Sequence, residues 1–106
     1  MMINKFEIPH RKLAAFCNRW KIIELALFGS VLREAFGPES DVDMLATFEP
    51  DHGWSLLDHV AMEEELKEIF MRHVDLVNRQ AIEQSHNHIR RKEILGSAEV
   101  IHVVSR

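Results

Sequence analysis

Apolar residues recur first at Leu13, Phe16, Cys17 and Trp20. That i, i+3, i+4, i+7 spacing predicts an amphipathic helix after Pro9, with Arg11, Lys12, Asn18 and Arg19 toward water. The next run, residues 22–28 (IIELALF), is short, mostly apolar and closed by Gly29, the pattern of a central strand buried on both faces. Ser30 to Phe36 suits a short helix capped by Ser30 and ended by Gly37-Pro38, with residues 38–40 as a turn. Residues 42–48 alternate and predict a second strand, stopped by Glu49-Pro50-Asp51-His52-Gly53. From Trp54 onward, Leu56, Leu57, Val60, Met62, Leu66, Ile69 and Phe70 keep a rough helical period, with Glu63, Glu64, Glu65, Lys67 and Glu68 on the outer side. This is the longest predicted helix. Residues 73–77 (HVDLV) predict a third strand, 81 to about 95 a polar helix, and 100–104 a last strand. Helices and strands thus alternate, which predicts an α/β or α+β sandwich.

Length and composition narrow the class. The chain has 106 residues, which predicts a single domain over 1–106 with one hydrophobic core. No repeat, low-complexity tract or linker interrupts it. No run of about 18 apolar residues is present, so a membrane span is not expected. Residues 1–10 carry Glu7 and Pro9 and lack an apolar stretch, so they do not read as a secretion signal, and a cytoplasmic location is expected. The lone Cys17 forms no internal disulfide and lies on the apolar stripe, where it reads as core filler. A net charge of -4 and a pI near 5.9 argue against broad phosphate-backbone binding, so no direct nucleic-acid partner is expected.

The chemistry gathers around the first two strands. Gly29-Ser30 falls at a strand-to-helix junction, where glycine permits close backbone approach and free N–H groups favour anions such as phosphates. Ten residues after Ser30 comes Asp41-Val42-Asp43, and in a strand residues i and i+2 share a face, so the two carboxylates converge. Asp75 lies on the third predicted strand between Val74 and Leu76, an apolar setting in which an unpaired carboxylate is costly. If those strands are neighbours, the three acids meet beside the phosphate cradle. That combination suits two Mg²⁺ ions about 4 Å apart and an in-line phosphoryl or nucleotidyl displacement. Calcium does not fit, because Met44, Leu45 and Ala46 stand where an EF-hand loop needs a further oxygen ligand and a glycine.

Gly29-Ser30, ten residues, Asp41-x-Asp43 and a later Asp75 together resemble the DNA polymerase beta nucleotidyltransferase superfamily. The chain's size resembles its minimal nucleotidyltransferases. The resemblance is close over residues 27–43 (LFGSVLREAFGPESDVD) and loose through 73–77, roughly half the chain. It implies a small mixed β-sheet flanked by helices, ATP or another nucleoside triphosphate as donor, and Mg²⁺ as cofactor. Gly29 and Ser30 would hold the triphosphate, Asp41 and Asp43 would bind metal, and Asp75 would complete the metal site and act as general base. Arg33, one turn beyond Ser30, would reach phosphate oxygens, and Ser40 would either cap the turn or bind phosphate, with turn chemistry favouring the former.

In larger relatives a further domain presents the acceptor, and 106 residues leave no room for one. The minimal members are antitoxins paired with a helical HEPN ribonuclease toxin. The resemblance therefore implies transfer of AMP to a toxin tyrosine hydroxyl within a hetero-oligomer. A purely masking antitoxin and a small-molecule nucleotidyltransferase are the alternatives.

The remaining motifs read as surface. On a helix, neighbouring residues point apart, so His86-Asn87-His88 does not form a nuclease-like site. His52 and His59 are read as solvated, without a shared metal. Arg90-Arg91-Lys92 reads as a solvated face or a partner-binding patch, and the run Glu63-Glu64-Glu65 has the same two readings.

Overall fold

The computed structural model of the chain describes residues 2–3, 6–32 and 40–104. Two short strands, β1 (Met2–Ile3) and β2 (Phe6–Glu7), form an antiparallel pair. They are followed by α1 (His10–Arg19), β3 (Ile22–Phe28), a 3₁₀ turn (Gly29–Leu32) and β4 (Val42–Phe48). Then come α2 (Leu56–Phe70), β5 (Val74–Asn78), α3 (Arg79–Glu83), α4 (His88–Ser97) and β6 (Glu99–Val103). The four long strands form one mixed sheet in the order β5-β4-β3-β6. β3 runs antiparallel to both β4 and β6, whereas β4 and β5 are parallel and joined by the α2 crossover. β3 is therefore central, as its apolar composition predicts, and β4 is central beside it.

Alternation along β3 and β4 divides the interior in two. Leu25, Leu27, Met44 and Ala46 pack with Leu13, Phe16 and Cys17 of α1 and Met62, Leu66 and Phe70 of α2 in the larger core. Ala26, Phe28 and Leu45 point the other way and pack with Ile82 of α3 and Ile94 of α4. Fully buried side chains such as Phe16 and Leu13 each contribute about 1.5–3 kcal/mol. Cys17 is core filler as expected, and burial pushes its thiol up to about 12.

Several expectations are corrected. The helix predicted from Trp54 starts at Leu56, because Ser55 and Asp58 form a capping box in which each side chain accepts the other's backbone N–H. Trp54 instead packs edge to face on the half-buried Trp20, ring centroids 5.1 Å apart, and donates its indole N–H to the Trp20 carbonyl. Leu56, Leu57 and Val60 do not join the core; Leu56 and Leu57 are 78% and 81% exposed, since α2 buries only the stripe Met62, Leu66, Phe70. The acidic run is not simply solvated: Glu65 accepts the Trp20 indole N–H at 2.6 Å and pairs with Arg19, tying α2 to α1. The predicted helix over 81 to about 95 is two helices. Asn78 caps α3 and Asn87 caps α4, and the amide side chain of each competes with helix continuation. Of the helix expected over Ser30 to Phe36, the structure shows the 3₁₀ turn at Gly29–Leu32; residues 33–39, with Arg33 and Gly37-Pro38, lie outside the described residues. Among the described residues, no helix is long and apolar enough to cross a membrane.

Candidate active site

The parallel pairing of β4 with β5 brings two of the predicted acids, Asp43 and Asp75, side by side. Asp43 and Asp75 are register partners on adjacent strands, and both occupy the sheet face opposite the α1–α2 core. Asp41 stands one residue before β4, outside the strand, yet near enough to act on Asp43. The Asp43 carboxyl is held above its ordinary value, first by burial and then by the neighbouring carboxylates of Asp75 and Asp41. Asp75 itself is exposed, correcting the apolar setting expected for it. It lies on an edge strand whose inward residues at this point are Val74 and Leu76.

Gly29 closes the site from the β3 side. It follows Phe28, the register partner of Asp43, and adopts φ +73°, a conformation that side chains disfavour. A Cβ built there would lie 2.6 Å from Asp43 Oδ2. Only a residue without a side chain lets the carboxylate and the turn backbone approach so closely. Ser30 continues the same turn.

Backbone and side-chain anchors hold the acids in place. The Ser40 carbonyl accepts from Arg72 Nη1 at 3.1 Å, and the Val42 N–H donates to the His73 carbonyl at 3.0 Å. Asp41 is thus bracketed by two ties to the segment that leads into β5. The outer edge of β5 is closed by α2: the Leu76 N–H donates to Glu63 Oε2 at 2.8 Å, and His59 Nε2 bonds the Leu76 carbonyl at 2.7 Å. His59 is therefore half-buried and bonded rather than solvated, as is His52, whose Nδ1 accepts the Trp54 N–H. Glu63→Ala should leave that amide without its partner, at a cost of about 1–3 kcal/mol. Hydrogen exchange should show the Leu76 amide opening faster in the variant; unchanged exchange there would remove the edge-closing role.

A cleft of about 420 Å³ opens beside Gly29. Phe28, Gly29 and Leu32 form one wall, and Arg90, Glu93, Ile94 and Ser97 of α4 form the other. Those α4 positions recur at i, i+3, i+4, i+7, one helical face. The placement of Arg90 there was not legible in the sequence, where the basic run reads as a surface patch. A larger cavity of about 530 Å³ lies around residues 47–53 and α3, but it holds none of the residues that surround Asp43.

Hard carboxylate oxygens suit Mg²⁺, which commonly takes one or two carboxylates and completes its shell with waters and substrate phosphates. The adjacent Asp43 and Asp75 fit that requirement. Among the described residues, no three acids or imidazoles are grouped so as to enclose an ion by themselves.

Residues 10–99 match the family model described as "Nucleotidyltransferase domain". A Methanocaldococcus jannaschii protein named "Putative protein adenylyltransferase" is 31% identical over 85 residues, 80% of each chain. A solved structure described as "putative minimal nucleotidyltransferase" superposes with a TM-score of 0.66 at 28% identity, covering 92% of this chain and 95% of that one. A toxin-antitoxin structure with AMP-PNP gives a TM-score of 0.69 at 15% identity, covering 92% and 75%, a likeness of fold. The chain therefore belongs to the nucleotidyltransferase domain family.

Proposed function

We propose that this chain is a single-domain, Mg²⁺-dependent adenylyltransferase that moves AMP from ATP to a hydroxyl of a partner protein. The observation that carries the reading is the register pairing of Asp43 with Asp75 against the close-approach glycine Gly29. Asp41, Asp43 and Asp75 would hold two Mg²⁺ ions, which supply electrostatic stabilisation of the charge that develops on the phosphoryl oxygens. The turn at Gly29 and Ser30 presents backbone N–H groups to the triphosphate. Arg33 and Ser40 are assigned to the same phosphates. The acceptor oxygen attacks the α-phosphorus as its bond to the bridging oxygen breaks; pyrophosphate leaves, and Asp75 takes the hydroxyl proton.

The partner we assign is a HEPN ribonuclease toxin, modified on tyrosine within a cytoplasmic hetero-oligomer, with this chain as antitoxin. The adenylyltransferase name of the archaeal relative and the toxin-antitoxin assemblies among the fold neighbours support this reading. Phosphates added beside a ribonuclease site would repel RNA. Intact-mass spectrometry of the toxin candidate after incubation with this chain, ATP and Mg²⁺ tests it. The expected result is a gain of one or more AMP units, absent with the Asp41→Asn/Asp43→Asn variant. A stable inhibitory complex with no mass gain would replace transfer with masking, for which exposed Leu56 and Leu57 offer an apolar surface.

A further inference from the structure

We infer that Arg90 of α4 is a polyphosphate-binding residue, gripping the donor nucleotide from the cleft wall opposite Gly29. The inference rests on the nucleotide-binding reading above and extends it to a helix on which that reading placed no site residue. Its first support is position. Arg90 lines the same cleft as Gly29, and Gly29 is in turn within side-chain contact distance of the Asp43 carboxylate.

The second support is that four other arginines near the sheet are committed. Arg19 pairs with Glu65, Arg79 with Glu24 and Glu83, Arg72 bonds the Ser40 carbonyl, and Arg91 reaches the carbonyls of Glu83 and Ser85. Arg90 shows no ion pair or side-chain hydrogen bond among the described residues, although Glu93 stands one turn along the same helix face. Its five N–H donors are available to the cleft.

The third support is charge. Asp43 and Asp75 face each other in register on adjacent strands, with Asp41 two residues before Asp43, and a nucleoside polyphosphate brought to them is also an anion. Divalent ions offset part of that repulsion, and a guanidinium on the facing wall offsets more. A planar fork of donors suits two phosphate oxygens at once, which a solvated surface arginine would not need. The apolar Phe28, Leu32 and Ile94 beside it suit a base or sugar rather than phosphate, so Arg90 acts on the phosphates and not on the nucleoside.

Calorimetric titration of wild type, Arg90→Ala and Arg90→Lys with Mg·ATP and with adenosine tests this. Arg90→Ala should weaken Mg·ATP binding at least tenfold and leave adenosine binding within about twofold, with Arg90→Lys between the two. Because Arg90 is exposed, melting temperatures of the free proteins should coincide. Wild-type affinity for Mg·ATP in Arg90→Ala, or equal losses for ATP and adenosine, would overturn the role of Arg90. Wild type that binds no Mg·ATP would overturn the nucleotide reading itself, and the inference with it.

Discussion

Asp43→Asn is expected to reduce nucleotidyl transfer to background, a fall of roughly a thousandfold, while the fold survives. Asp43 is the acid on which the other two converge, so it is the residue whose negative charge the chemistry most needs. The same convergence makes it costly to the free protein. A carboxyl held above its ordinary value of 3.8 is disfavoured in its charged form in the folded state. Its unfavourable contribution is therefore absent below pH 3.8, where folded and unfolded chains both carry the proton, and grows as pH rises through the raised folded value. Asparagine removes the charge and most of that penalty. At neutral pH without divalent ions, the variant should melt at or above the wild-type temperature. Mg²⁺ should raise the wild-type melting temperature by binding linkage and leave an Asp41/Asp43/Asp75 triple asparagine variant unmoved. Thermal melts with and without Mg²⁺, beside the transfer assay, check both halves. Full transfer by Asp43→Asn at ordinary Mg²⁺ would remove Asp43 from the metal site.

Gly29→Ala should separate activity from stability by a different route. The new methyl meets two obstacles, the left-handed backbone at φ +73° and Asp43 Oδ2 at 2.6 Å. The backbone conformation costs about 1–2 kcal/mol. The clash is relieved by turning the carboxylate aside, which is cheap for stability and damaging for catalysis, where a displacement near 1 Å costs about a hundredfold. Gly53 provides the control. It has the same φ of +73°, but a Cβ there meets nothing within 4 Å. Gly53→Ala should thus lose similar stability and keep its transfer rate. Comparable activity losses in the two variants would mean that backbone strain, not the approach to Asp43, explains the glycine.

Much of this was readable from short-range pattern. The ends of β3 and β4 follow from apolar runs stopped by Gly29 and by Glu49-Pro50, and β4 comes out at Val42–Phe48 as its alternation predicts. Cys17 and the α1 stripe were equally plain. Where the pattern failed, a local competitor was present. Asn87 and Ser85 break the long polar helix through side-chain bonds to the backbone, and the capping box at Ser55 moves the start of α2. Leu56, Leu57 and Val60 share the helical period but lie beyond the surface that the sheet can cover. Glu63 and Glu65 look like solvated acids because their partners, the Leu76 amide and the Trp20 indole, are distant in sequence.

The linear order of residues thus specified the elements and the chemical inventory: a glycine turn after an apolar strand, a pair of acids spaced for one face, and a third acid on a later strand. It could not specify which strands lie side by side. Periodicity records whether a side chain faces the core, whereas pairing depends on which surfaces the crossover helix and the loops bring together. The fold therefore supplied the register of Asp43 with Asp75, the contact of Gly29 with a carboxylate, the exposure of Asp75 on an edge strand, and the position of Arg90 across the cleft. Each depends on contacts between segments far apart in the chain, and such contacts leave no trace in the spacing of residues along any one of them.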